Sequence, residues 1–175
     1  MSESTRRHKA EAPKKLSFAI FVCSTSRYKK LQSGEKVTDK SGDLIESLIK
    51  EAGHNVAIRK IIPDDKTQIE DCVSEALNSN LDVAIFCGGT GIASSDVTIE
   101  TVSTFLEKIL QGFGEIFRLL SFKKIGSAAI LSRAVAGTAK GKAFFCIPGS
   151  PDAARLCVEK LILPEAPHIV KHARE

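Results

Sequence analysis

Two nearly unbroken apolar runs limit what this chain can become. Residues 16–23 hold Phe18, Ile20, Phe21 and Val22, and residues 81–87 hold Val83, Ala84, Ile85 and Phe86. A strand with one wet face alternates polar and apolar side chains, whereas a strand apolar throughout has to be covered on both faces. Between the runs, Leu44, Ile45, Leu48 and Ile49 recur at helical spacing, and Gly53 follows as a stop signal. Residues 56–62 are rich in β-branched side chains and end at Pro63-Asp64. Asp65 with Gln68 three positions on is a capping-box-like start for a helix whose stripe is Ile69, Val73, Ala76 and Leu77.

The alternation continues. A short helix is predicted from Thr98, and residues 113–122 read as a helix with Ile116, Phe117, Leu119 and Leu120 inward. Residues 127–131 are a strand candidate, and residues 133–147 suit a hairpin or strand pair around Gly141. Pro151 opens another helix carrying Ala154, Leu156, Val158 and Leu161, while Pro164 and Pro167 are expected to interrupt the final segment. Residues 24–37 read as a loop. Strands alternating with helices predict an α/β fold of three layers, α/β/α, around a mostly parallel sheet. At 175 residues one domain over 16–175 is expected, preceded by a disordered basic tail over 1–15. No internal repeat occurs.

The net charge of +4 is concentrated in that tail, where Arg6, Arg7, Lys9, Lys14 and Lys15 oppose Glu3 and Glu11. Aromatic residues are 6% of the chain and Trp is absent, so no stacking platform for nucleic acid is expected. No apolar stretch is long enough for a membrane span, and no secretory apolar core occurs near the start. Five cysteines without a CxxC pair, three of them inside apolar runs, predict buried reduced thiols and a cytoplasmic protein.

The second apolar run ends in Gly88-Gly89-Thr90-Gly91, with Asp96-Val97-Thr98 soon after. Glycine lets backbone approach an anion closely, and a nearby carboxylate can hold a cation against that anion. The motif is neither GxxxxGK[ST] nor GxGxxG, and alone it reads equally well as a tight turn. Asp64 and Asp96 both follow strand ends, where Mg²⁺ could be held between carboxylates and phosphates; Asp64 is open between that role and a helix cap, and Asp65 is read as a cap. The expected ligand loops lie at the carboxyl ends of strands: 62–64, 87–91 and 147–150. His168 and His172, four apart with no Glu between, are read as solvated rather than metal-binding. Lys123, Lys124, Arg133, Lys140 and Lys142 are mostly a solvated surface with some phosphate contacts among them.

Ile62-Pro63-Asp64-Asp65, Cys87-Gly88-Gly89-Thr90-Gly91, Asp96-Val97-Thr98, Gly112-Phe113-Gly114-Glu115, Ile130-Leu131-Ser132-Arg133 and Ile147-Pro148-Gly149-Ser150 occur in an order that resembles the MoaB/MogA family of molybdenum-cofactor biosynthesis proteins, with the gephyrin G-domain fold. The last segment, 148–165, looks most like the archaeal MoaB branch. The resemblance implies molybdopterin binding and Mg²⁺-dependent adenylyl transfer from ATP to molybdopterin, giving adenylyl-molybdopterin and pyrophosphate. It implies a homotrimer or homohexamer, and a downstream metal-insertion protein handling molybdenum or tungsten. Asp64 and Asp96 match the catalytic and Mg²⁺-anchoring acids. Gly88, Gly89, Thr90 and Gly91 match the phosphate and nucleotide loop, and Ser132, Pro148, Gly149 and Ser150 the nucleotide and pterin pocket. Asp39 matches an acidic residue after the first loop. Ser95 stands where many active relatives have Arg, and Ser26 where some have Asp. A lost guanidinium removes a fixed fork for phosphate, so a non-catalytic molybdopterin carrier is the alternative.

Overall fold

The computed structural model describes residues 12–175; the expectation for the basic tail falls, for residues 1–11, outside the described residues. Six strands form one sheet in the order β2-β1-β3-β6-β5-β4. The strands are β1 (Ser17–Cys23), β2 (Asn55–Ile62), β3 (Val83–Cys87), β4 (Lys108–Ile109), β5 (Val135–Ala139) and β6 (Lys142–Ile147). The first three and β6 run parallel, with Cys23 paired to Ile62, Val22 to Cys87, and Cys87 to Ile147. Their carboxyl ends are therefore level along one edge. β5 turns back on β6 through Lys140 and Gly141, both at positive φ (47° and 72°), as a two-residue hairpin requires. The two-residue β4 pairs antiparallel with β5 and was not anticipated.

Among the described residues there are seven α-helices, five lying between strands, α1 (Thr25–Gln32), α2 (Lys40–Glu51), α3 (Lys66–Asn78), α4 (Thr98–Ser103) and α5 (Gln111–Ile125), and two following the last strand, α6 (Pro151–Cys157) and α7 (Leu163–Ala173). The period-2 alternation of β1 divides the core. Phe18, Ile20 and Val22 face one layer with Ile45 and Ile49 of α2, Phe117 of α5 and Val170 of α7. Ala19, Phe21 and Cys23 face the other with Ile69, Val73 and Ala76 of α3 and Val102 of α4. Each fully buried Val, Ile or Phe among them contributes roughly 1.5–3 kcal/mol. Asp65 caps α3 as its spacing predicted, its side chain accepting from Gln68 N at 3.0 Å.

Four expectations fail, each for a physical reason. Residues 25–32 form α1 rather than loop; the helix buries none of its residues, so its sequence carries no apolar stripe. On α5 only Phe117 of the expected inner residues is fully buried; Leu120 is partly buried against the core, while Ile116 and Leu119 are exposed. Residues 126–131 are a 3₁₀ helix, not a strand: Gly126 at φ 60° breaks α5, and no neighbouring strand pairs with the segment. Pro164 and Pro167 do not interrupt the last helix. A π-turn over Val158–Ile162 precedes α7, and Leu163 N donates to Val158 O, so Pro164 enters where the i→i−4 ladder is already displaced.

Candidate active site

The carboxyl ends of β1, β2, β3 and β6 surround a cavity of about 690 Å³. Strand order reverses here: from β1 the chain adds β2 on one side and β3 on the other, and open α/β sheets bind ligands at such a switch point. Ten of the residues singled out from the sequence line this cavity: Asp64, Gly88, Gly89, Thr90, Gly91, Asp96, Ser132, Pro148, Gly149 and Ser150.

The floor is backbone against backbone. Gly88 (φ 109°) and Gly89 (φ 60°) are consecutive left-handed residues. A Cβ on Gly88 would stand 2.3 Å from Cys23 O, and one on Gly89 would stand 2.3 Å from Thr98 Oγ1 and 2.8 Å from Asp64 Oδ1. A side chain at Gly89 would displace the carboxylate or the helix start, and one at Gly88 the carbonyl at the end of β1. The loop is anchored at both ends, since Gly88 N donates to Ile147 O and Thr98 N donates to Gly89 O, each at 3.0 Å. Ser41 Oγ donates to Gly149 O at 2.7 Å, and Ser150 caps α6.

The two carboxylates are held differently. Asp64 reaches across to the start of α1: Thr25 N and Thr25 Oγ1 both donate to Oδ2, at 2.8 and 2.9 Å, and Asp64 N donates to Thr25 Oγ1 at 2.9 Å. Asp96 closes its own loop, Oδ2 accepting from Ala93 N at 2.9 Å and packing over Gly91. Thr98 Oγ1 is buried beneath Gly89 without a hydrogen-bond partner among the described residues. Burial pushes the Cys23 thiol far up its range, and that of Cys87 up to about 12, so both stay protonated and act as packing atoms. All five cysteines are buried and free.

Cations at the rim are Arg27, Lys124 and Arg133, the last paired with Glu100. Ser24, Phe117, Ser121 and Asp152 also line the cavity and were not singled out from the sequence. Ser24 sits at the carboxyl end of β1, beside β3, which is the signal that could have found it. Phe117 and Ser121 project from α5; helical spacing marks Phe117 only as an inward core residue, and nothing local marks Ser121. Asp39 does not line the cavity. It caps α2 through Gly42 N (3.1 Å) and ion-pairs with Arg59 at 2.9 Å. His168 and His172 lie on α7, outside the cavity lining.

Residues 19–168 match the family described as "Probable molybdopterin binding domain". The chain belongs to the MoaB/MogA family. It is 46% identical over 168 residues to molybdenum cofactor biosynthesis protein B of Bacillus cereus, covering 95% of each chain. It is 41% identical over 172 residues to the molybdopterin adenylyltransferase of Pyrococcus furiosus, covering 96% of this chain and 97% of that one. The structure of the tungsten cofactor synthesizing protein MoaB from Pyrococcus furiosus superposes with a TM-score of 0.83 at 39% identity, over 94% of this chain and all of that one.

The donors present suit the divalent cation that MoaB/MogA chemistry implies. Asp64 and Asp96 are hard oxygen donors on one cavity, the ligand type that Mg²⁺ takes alongside waters and substrate phosphates. Among the described residues no group of three or more His, Cys, Asp or Glu residues that could hold a metal occurs.

Proposed function

We propose that this MoaB/MogA chain is a molybdopterin adenylyltransferase using Mg²⁺-ATP. The observation that carries the reading is the convergence of Asp64, Asp96 and the bare backbone of residues 88–91 on one cavity, in a chain 41% identical to a protein named for that activity. In the reaction an oxygen of the molybdopterin phosphate attacks the α-phosphorus of ATP. The bond from that phosphorus to the bridging oxygen breaks, and pyrophosphate leaves with the electron pair. The attacking phosphate is ionised at neutral pH, so positioning and charge neutralisation suffice without a strong general base.

In this reading Asp64 and Asp96 anchor Mg²⁺, which would neutralise phosphate charge when bound. Residues 88–91 let phosphates approach the backbone, and Ser132, Pro148, Gly149 and Ser150 complete the nucleotide and pterin pocket. Lys124, Arg27 or Arg133 balances leaving-group charge. Asp64→Ala and Asp96→Ala are each expected to slow pyrophosphate release from molybdopterin and Mg²⁺-ATP by roughly 10²–10³-fold, as lost electrostatic groups do. Turnover at the wild-type rate in either variant would remove that residue from the mechanism.

A carrier of molybdopterin is the second reading. It is favoured by Ser95 standing where many active relatives have Arg, since a lost guanidinium removes a fixed fork for phosphate. Molybdopterin binding without pyrophosphate release would support it. We further propose that the chain works in the cytoplasm, where reduced thiols persist, as a homotrimer or homohexamer that hands its product to a metal-insertion protein. No helix among the described residues is long and apolar enough to cross a membrane.

A further inference from the structure

Thr25 is the first residue of α1, two positions beyond the end of β1, and was not singled out by any motif. Its contact with Asp64 is reciprocal: Thr25 N and Oγ1 donate to the carboxylate, and Asp64 N donates back to Oγ1. The contact continues the parallel pairing of β1 with β2 past the sheet edge, since Ser24 N also donates to Ile62 O at 2.8 Å. Both donors fall on one oxygen, Oδ2. The lone pairs of that oxygen are thereby spent, while Oδ1 is turned toward the glycine loop, 2.8 Å from where a Gly89 Cβ would stand.

Carboxylate chemistry gives this asymmetry a consequence. Ca²⁺ accepts six to eight oxygens and readily takes a carboxylate through both, whereas Mg²⁺ demands a tight octahedron and takes one oxygen per carboxylate beside waters and phosphates. We propose that Thr25 is a positioning and specificity residue: its hydroxyl and amide occupy Asp64 Oδ2, present Oδ1 alone to the site, and so favour Mg²⁺ over Ca²⁺. The proposal rests on the assignment of Asp64 as a cation anchor. The hydroxyl is the part that a side-chain change can remove, because the Thr25 amide stays in any substitution.

The test is cation binding by the full chain, read directly rather than through turnover. Mn²⁺ is titrated by electron paramagnetic resonance in the presence of α,β-methylene-ATP, then competed with Mg²⁺ and with Ca²⁺. Thr25→Val is expected to weaken Mn²⁺ binding about 10–100-fold, the usual loss when the partner of a metal ligand is removed. It should also narrow the preference for Mg²⁺ over Ca²⁺, while Thr25→Ser restores both. Thr25→Ala serves as the hydroxyl-free variant if the valine does not fold, with far-UV circular dichroism as the check. Wild-type affinity and preference in the hydroxyl-free variant, or equal loss in Thr25→Ser, would overturn the proposal. Asp64→Asn separates the two levels: if it loses Mn²⁺ while Thr25→Val does not, only the role of Thr25 fails. If it binds Mn²⁺ as wild type does, the anchor assignment fails and the proposal with it.

Discussion

Gly89 has no side chain to contribute, yet it fixes where two others can be. Its Cα faces Thr98 Oγ1 and Asp64 Oδ1 within distances that an added methyl would violate, and its φ of 60° is unfavourable for a residue with a Cβ. Gly89→Ala therefore combines backbone strain with a clash against a buried hydroxyl and a carboxylate. It is expected to destabilise the fold by about 1–3 kcal/mol and to abolish binding of an ATP analogue. Urea unfolding and calorimetric titration check the two effects separately. Retained nucleotide affinity would mean that the carboxylate tolerates displacement. Thr90 at the same loop is buried, so its hydroxyl belongs to the wall of the cavity rather than to bulk water.

Among the elements, α2 shows how a charged residue can serve packing rather than chemistry. Asp39 is 5% exposed, caps the helix through Gly42 N, and shares Arg59 with Asp43 and Glu46. Burial opposes the charge on Arg59, but the hydrogen bonds it donates to Glu46, Asp39 and Asp43 outweigh burial and hold the guanidinium charged. The network ties the start of α2 to the edge strand β2, while Ser41 in the same first turn supports Gly149 of the cavity. Asp39→Ala is expected to cost about 2 kcal/mol, as a lost cap and a lost charge-assisted hydrogen bond together do. Asp39 lies outside the cavity and reaches it through a 3.7 Å ion pair with the rim cation Arg27, so kcat should change less than tenfold. A stable variant with lost turnover would instead place Asp39 in the chemistry.

At the scale of the molecule, α5 carries an exposed apolar surface on which the proposed homo-oligomer would form. Ile116, Leu119, Phe122 and Ile125 are all at least 49% exposed along a ridge of three-residue spacing, and Ile130 and Leu131 of the 3₁₀ turn extend it. Apolar side chains grouped in this way mark an interaction surface. The same helix supplies Phe117, Ser121 and Lys124 to the cavity, so the ridge adjoins the site. Phe122→Glu is expected to convert a homo-oligomer into monomers in multi-angle light scattering. A wild-type protein that is monomeric at all accessible concentrations would refute the oligomer.

The three-layer architecture was legible because its determinants are local. The β1 and β3 runs are apolar on both faces, Asp65 and Gln68 sit at capping distance, and the apolar periodicity of α2 and α3 is unbroken. Motif order likewise pointed to the glycine loop and to both acids, which the fold brings to one cavity. What stayed hidden depends on neighbours distant in sequence. α1 lacks an apolar stripe because it packs nothing inward, and Ile116 and Leu119 carry inner-face chemistry on an outer face. The role of Thr25 exists only because parallel pairing brings residue 25 beside residue 64. Periodicity and capping are written in consecutive residues, but which oxygen of a carboxylate faces a cavity is decided only when two strands lie side by side.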